Sequence, residues 1–316
     1  MESMATSLAT AGSAVLRYGY APFMLAGLGG AAVVIAGAGA PKYLLIALLL
    51  TGIAASFATE RAIPYDTSWN SDHADTRRDR IHVVVNELLI LCSVSAIPAL
   101  AALVPWQGIW PTLWPFPAQV LLAVVVADLG ITLVHLASHK ADWLWRFHAV
   151  HHSVKRFYGL NGLMKHPLHQ GVEMTAGVAP LILIGLPMTV AYALAVLTAL
   201  QLLLQHSNAD YRVGPIRHVL ALNEGHRFHH LKWAGVGDVN FGLFTLVWDH
   251  LMRTYSQDPF RRFDSDQIGL AAHPNYPTRY WSQLTYPFTA AGGCDFHPER
   301  RTAHDLAATE EKCSHG

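Results

Sequence analysis

The sequence predicts an all-α, polytopic membrane helix bundle of about four spans plus hairpins, closed on one side by a histidine-rich cap. Three observations predict it. Of the 316 residues 52% are hydrophobic and only 14% charged, with a mean hydropathy of +0.26, whereas about a quarter of the residues of a soluble domain are charged. The apolar residues gather into runs long enough to cross a hydrocarbon core of about 30 Å at about 1.5 Å per residue. Finally, 12 of the 19 histidines lie between His135 and His230, at the ends of those runs.

Composition also excludes classes. Lysine plus arginine equals aspartate plus glutamate, 22 each, so no charge excess argues for a nucleic-acid partner. The three cysteines, Cys92, Cys294 and Cys313, share no metal-type spacing and are too few for an Fe–S cluster or a disulfide framework. Cys92 sits in an apolar run and reads as a small buried thiol.

The elements follow in order. Residues 1–20 are small and polar, with Arg17 as the one cation, and read as a short N-terminal tail. Residues 21–40 and 43–59 are two apolar arms separated by Pro41 and Lys42. The Ala-Gly-Ala at 38–40 imitates a signal-peptidase site, but a second run begins at once, so the pair is read as a hairpin whose second arm is barely long enough to cross. A polar connection at 60–80 carries Arg61, Arg77, Arg78 and Arg80. Residues 81–105 form the next span, with Asn86 and Glu87 near its start, where an interfacial carboxylate is the default. The fourth span, 113–139, ends in the first histidine pair. Trp106, Trp110, Trp114, Trp143 and Trp145 cluster at segment ends as an aromatic belt would place them. The 35 apolar residues at 171–205 are too many for one span and, broken at Gly185-Leu186-Pro187, read as a second hairpin. Residues 207–316 contain no further span, and no repeat of fixed period is visible. The chain thus divides into N-terminal membrane segments (1–112), a central region (113–255) and a C-terminal cap (256–316). If the histidine clusters share one side, that side holds every lysine and arginine except Lys42. The positive-inside rule makes it cytoplasmic.

The histidines fall into patterns: His135 and His139 four apart, His148, His151 and His152 as HxxHH, His226, His229 and His230 as a second HxxHH, and His206 alone. Offsets of three and four put side chains on one helix face, so each cluster aims several imidazoles at a common point. Imidazoles gathered in a desolvated place strand polar nitrogens that a metal satisfies together. His206 by itself is equally a hydrogen-bonding contact between helices. Imidazole suits Zn, Fe, Cu and Ni alike. Eight or nine ligands overfill a single site and fit two metals with four or five each, which leaves positions open for dioxygen.

HxxxH, eight residues, HxxHH, a hydrophobic hairpin and then HxxHH resembles the membrane di-iron fatty acid hydroxylase and sterol desaturase superfamily. The resemblance covers roughly residues 120–255 and extends beyond the histidines. Asp128-Leu129-Gly130 precedes the first pair, Lys165-His166-Pro167 follows the second box, and His206-Ser207-Asn208 ends the hairpin. Asp238-Val239-Asn240-Phe241-Gly242 and the stretch from Trp248-Asp249 to Thr254-Tyr255 are similar to the family's closing segment. His169 departs from the pattern, since members often carry an acid after the His-Pro.

The resemblance implies that His135, His139, His148, His151, His152, His206, His226, His229 and His230 bind two iron ions (Fe2+/Fe3+). Dioxygen is the co-substrate, and a C–H bond of a lipid (fatty acyl, sterol or polar membrane lipid) is hydroxylated. His166 and His169 are candidates for the layer behind the ligands. Asp128, two turns before His135, either orients imidazoles and carries protons or is a polar contact between spans. Asn240 either holds a water at the metals or is a turn residue. Acidic partners for imidazole N–H groups are sought among Asp142, Glu224, Asp238 and Asp249, whereas Glu173, at a segment end, reads as a solvated or interfacial carboxylate. Arg146, Lys155, Arg156 and Arg227 read as positive-inside anchors, or as receivers of an acidic donor or a lipid headgroup. With no dinucleotide fingerprint, cysteine cluster or His-Pro-Gly-Gly segment, electrons are expected from an external ferredoxin, cytochrome b5-type protein or reductase. Desaturation at the same site is the nearest alternative. A metal transporter would place its histidines mid-span, and a haem carrier would need only two per haem.

Overall fold

The computed structural model describes residues 2–104, 108–233, 235–258, 261–271 and 273–289. Trp106, Cys294, Cys313 and the cap beyond residue 289 lie outside them. Among the described residues regular structure is helical, broken only by isolated β-bridges.

The N-terminal residues differ from expectation. Helix α1 (Glu2–Pro22) passes through a π-helical segment, Phe23–Gly29, into α2 (Gly30–Gly37) without a break. The small residues read as a tail include no proline before Pro22, and alanine and leucine carry the helix through them. Gly39, at φ +62°, and Pro41 then turn the chain, and α3 (Lys42–Ala62) returns, completing the expected hairpin. Helix α4 (Thr76–Ala101) starts inside the stretch read as a polar connection. The Asp72 carboxylate accepts from the backbone N–H groups of Asp75 and Thr76 and so holds the free donors at its start. Its first turns are charged because Arg78, Asp79, His82 and Asn86 point inward.

Next come α5 (Phe116–Ser138), the short α6 (Asp142–His152), α7 (Pro167–Leu183) and α8 (Met188–Gln205), with the predicted break between the last two at 184–187. Among the described residues five stretches are long and apolar enough to cross a membrane: Gly12–Gly37, Lys42–Ala62, Thr76–Ala101, Phe116–Ser138 and Met188–Gln205. Helix α7, at 17 residues, is a shorter arm beside them. The described chain after α8 contributes α9 (Asn223–His229), α10 (Val247–Met252) and α11 (Tyr280–Thr289), linked by loops.

Helix α8 is the axis of the bundle. On one side Leu200, Leu203 and Leu204 pack with Tyr20, Met24, Leu45 and Leu48; on the other Val190 and Leu194 pack with Val120, Ala123 and Leu181. Lipid tails are as apolar as leucine, so close van der Waals approach rather than water exclusion drives these contacts. Gly130 shows the device, since a methyl group there would collide with the Ala176 carbonyl of α7. Helix α4 is the outermost, with Val84, Leu88 and Leu91 exposed. Cys92 shares that outer face and is exposed, not buried, because α4 packs through its polar first turns and leaves its apolar middle outside.

Helices α3, α5 and α8 end, and α4 and α7 begin, at one end of the bundle, so the chain at 62–75, 139–166 and 206–289 gathers there. Arg156 ties the layer together: its guanidinium donates to Asp75 Oδ1 at 2.7 Å and to the Trp69 carbonyl at 3.0 Å. It lies 4.2 Å from the Tyr158 ring centre, and Tyr158 donates to Asp79 at 2.7 Å. Arg156 is therefore a buried strut rather than a cation offered to a partner.

Candidate metal centre

Four helix ends supply the nine histidines. The last turn of α5 carries His135, and His139 caps it. The last turn and a half of α6 carries His148, His151 and His152. His206 caps α8, α9 carries His226 and His229, and His230 caps α9. At each end the helical spacing stacks the imidazoles on one face, and the bundle points these faces at each other.

The nine divide into two groups. His135, His139, His148, His152 and His229 offer ligand nitrogens all within 4.8 Å of one another, as do His151, His206, His226 and His230. The division does not follow the sequence boxes, because His151 leaves the second box for the four-histidine group and His229 leaves the third for the five-histidine group. In the smaller group the Nε2 atoms form a closed ring, with edges of 3.3 Å from His206 to His151, 2.9 Å from His226 to His206, and 3.1 Å from His230 to both His226 and His151. In the larger group His152 Nε2 stands 3.1 Å from His139 Nε2 and 3.0 Å from His148 Nε2.

These separations fit a cation. Two nitrogens about 2.1 Å from one ion and at right angles lie about 3.0 Å apart. Protonation fits as well. His151 and His206 direct Nδ1 at the carbonyls of Met164 and Leu202, and a carbonyl only accepts, so both rings carry the proton on Nδ1. Their Nε2 lone pairs then face each other at 3.3 Å, which is repulsive unless a positive ion lies between them. His135 and His229 likewise donate from Nδ1 to Phe241 and Val239 carbonyls at 2.8 Å, and their Nε2 atoms are buried with no protein partner.

Burial drives His148, His151, His152, His226, His229 and His230 well below the ordinary imidazole range, and neighbouring histidines lower them further. Burial, with the Lys165 charge second, brings His206 to about 3. All are neutral donors near pH 7.

A scan against protein-family models matches residues 120–254 to the fatty acid hydroxylase family. The ornithine lipid hydroxylase OlsE of Rhizobium tropici is 31% identical over 242 residues, covering 74% of this chain and 72% of that protein. The chain belongs to the fatty acid hydroxylase family. An alkylglycerol monooxygenase of Caenorhabditis elegans is 24% identical over 54% of this chain and 32% of its own length. No solved structure matches. Membership makes the protein an oxidoreductase that hydroxylates lipid, set in a multi-pass membrane bundle.

Other residues of this hydroxylase take places that the sequence did not assign. Asp238 is the acid at the site: His139 Nδ1 lies 3.0 Å from its Oδ1. Burial pulls the Asp238 carboxyl up, but His139 and Lys140 outweigh it and hold it at about 2. Asp249 and Glu224 sit elsewhere. Asp249 accepts from the backbone of Phe241 and Gly242 and from Thr254 Oγ1, while Glu224 pairs with Arg212 and Arg217. Asp142 is exposed at the start of α6.

Asp128 contacts no imidazole. Its oxygens accept from the N–H groups of Leu243, Phe244 and Thr245, from Thr245 Oγ1 and from Trp248 Nε1, five donors for about four lone-pair sites, which leaves it no capacity to carry protons. It acts at one remove, by fixing the loop whose Val239 and Phe241 carbonyls orient His229 and His135. Asn240, at φ +55°, spends its amide on the Gly225 and Ser256 carbonyls and its oxygen on the Ser256 N–H. It is the turn residue of the two readings. Room for one water lies instead beside Asp238, in a cavity of about 20 Å3 lined by His139, His152 and His229.

His169 lies behind the ligands, its ring 4.5 Å from that of His148 and its Nε2 2.8 Å from Ser138 Oγ. His166 does not: it caps α7 through Leu168 N and meets the Leu284 carbonyl of α11, so it joins helices. Glu173 is buried, not solvated, with Lys165 Nζ at 2.6 Å, and forms a third group with His148 and His169. Sequence reasoning missed this pair, although a lysine beside the His-Pro and a glutamate two turns along an apolar helix were the available signal. It also missed Glu60, buried at the end of α3, which accepts from the N–H groups of Gly159 and Asn208.

Proposed function

We propose that the protein is a di-iron, dioxygen-dependent hydroxylase of a polar membrane lipid of the ornithine-lipid type, working at the cytoplasmic face with an external electron donor. His135, His139, His148, His152 and His229 would hold one ion, and His151, His206, His226 and His230 the other. Bound iron supplies the redox chemistry by which dioxygen attacks an unactivated C–H bond. The opposed Nε2 lone pairs of His151 and His206 are the observation that carries the metal reading.

The chain's own groups do the rest. Carbonyls of Met164, Leu202, Phe241 and Val239 fix the protons of His151, His206, His135 and His229 on Nδ1, so those four rings present Nε2 as a lone pair. Phe157, its ring parallel to His206 within 14° and 4.9 Å from His230, excludes water from the four-histidine group. Asp238 holds the His139 proton beside a water-sized space and is the nearest group to pass protons from outside. OlsE supports the substrate class, and the lysine and arginine distribution supports the cytoplasmic side.

Two measurements on the full chain test this reading. Metal analysis of protein expressed with iron should give about two Fe per chain without haem absorption. Lipids of cells with and without the gene should differ by one added oxygen in an amino-acid-containing lipid. A loss of two hydrogens would make it a desaturase, and iron-free protein that still changes the lipid would remove the metal reading.

A further inference from the structure

Beside α9, a cavity of about 190 Å3 has Arg212, Glu224, Arg227, Asp258, Arg261 and Arg262 as its charged lining residues. Its charges do not balance. Asp210 pairs with Arg17 at 3.2 Å and Arg212 at 3.1 Å, with Arg262 at 3.9 Å. Glu224 pairs with Arg212 at 3.1 Å and Arg217 at 3.5 Å. Arg227 is a guanidinium with no paired carboxylate: one nitrogen donates to the Ser207 carbonyl at 3.1 Å, its plane lies 3.7 Å from the Tyr65 ring centre, and its Nε has no acceptor. Arg227 is only 4% exposed. Four arginines therefore line the cavity against two carboxylates, Glu224 and Asp258, and the innermost, Arg227, is buried with a donor unspent, a costly arrangement unless an anion enters. Arg262, 4.1 Å from the other end of the same Tyr65 stack, is 55% exposed and stands at the mouth.

The position selects the kind of anion. Tyr65, which lines the cavity, follows α3 by three residues, and Arg17 of the Gly12–Gly37 span is linked to the lining Arg212 through Asp210. That is the depth at which lipid headgroups lie. Arg227 stands between His226 and His229, and the carbonyl it holds belongs to the residue after His206. We propose that this cavity is an oxyanion site that takes the carboxylate or phosphate of a membrane lipid's headgroup and so anchors the lipid beside the four-histidine group. The proposal rests on the lipid-hydroxylase reading for its choice of ligand. Guanidinium forks match both oxyanions. A flat acidic protein surface would reach Arg262 but not Arg227.

Full-length protein in neutral detergent is titrated calorimetrically with N-decanoylornithine, its methyl ester, dihexanoyl phosphatidate and inorganic phosphate. The expected result is saturable binding of N-decanoylornithine or the phosphatidate, weakened at least about tenfold in Arg262→Glu and in Arg227→Gln, with the ester binding far more weakly than the acid. Arg262 is half exposed, so its variant keeps the test open if Arg227→Gln fails to fold. Saturable binding of the ester as tight as that of the acid, binding of inorganic phosphate alone, or acyl-probe affinities unchanged in Arg262→Glu would each overturn the site. So would loss of an acidic ferredoxin's affinity in that variant with acyl probes unaffected. Binding needs no iron, so the two readings fail separately. A chain that binds the probe but never oxygenates it sinks the hydroxylase reading, and one that oxygenates lipid with an unchanged KM in Arg262→Glu sinks this one.

Discussion

At the scale of single residues, the proton on Nδ1 decides what His135, His151, His206 and His229 do. His206, with Nδ1 spent on Leu202, has only its Nε2 lone pair to give, and its loss opens the ring of four. His206→Ala is expected to lower bound iron from about two to about one per chain and to abolish oxygenation while the circular dichroism of the bundle persists. Two irons retained in that variant would exclude His206 as a ligand. Asp238→Asn keeps an acceptor for His139 but removes its charge, so iron affinity should fall roughly tenfold, read by competition with a chelator. The clustered histidines were legible because offsets of three and four leave a mark in sequence. The division into five and four was not, since it depends on which way α6 and α9 face one another. The choice between the two readings of Asp128 and of Asn240 was not legible for a related reason: their partners include backbone groups 115 and 15 residues away, and a backbone group has no identity a sequence can show.

At the scale of elements, the loop at 238–249 does as much as the helices. Two buried carboxylates, Asp128 from α5 and Asp249 from α10, hold its N–H groups, and its carbonyls set His135 and His229. Asp128→Ala leaves buried donors unpaired and should cost at least about 3 kcal/mol. Iron should be lost first from the five-histidine group, which is checked by comparing metal content with the thermal unfolding midpoint. Normal iron in a destabilised variant would separate the loop from the ligands. The two hairpins and their breaks were legible from apolar run length and from Pro41 and Gly185-Leu186-Pro187. The start of α4 was not, because a helix whose first turns bury Arg78, Asp79 and His82 against the cap looks, in sequence, like a solvated connection.

At the scale of the whole molecule, the buried imidazoles link stability to pH. Seven of them, His148, His151, His152, His206, His226, His229 and His230, stay neutral when folded but regain a pKa near 6.5 when unfolded. Above about pH 6.5 neither state binds their protons and they contribute nothing to the slope. Below it the unfolded chain takes up protons that the folded chain refuses, so stability falls as pH falls, down to the depressed folded values. The iron-free protein should therefore lose thermal stability steeply between pH 7 and 5. A flat profile would mean that the imidazoles are not buried as described.

The exchange of His151 and His229 between boxes has a consequence for biogenesis. Each iron would need ligands from both sides of the α7–α8 hairpin, so neither set is complete until that hairpin has entered the bilayer and the chain has come back. A ribosome paused before residue 229 displays only fragments of both sites. On the di-iron proposal, a complete ligand set for either ion therefore exists only after that hairpin has inserted.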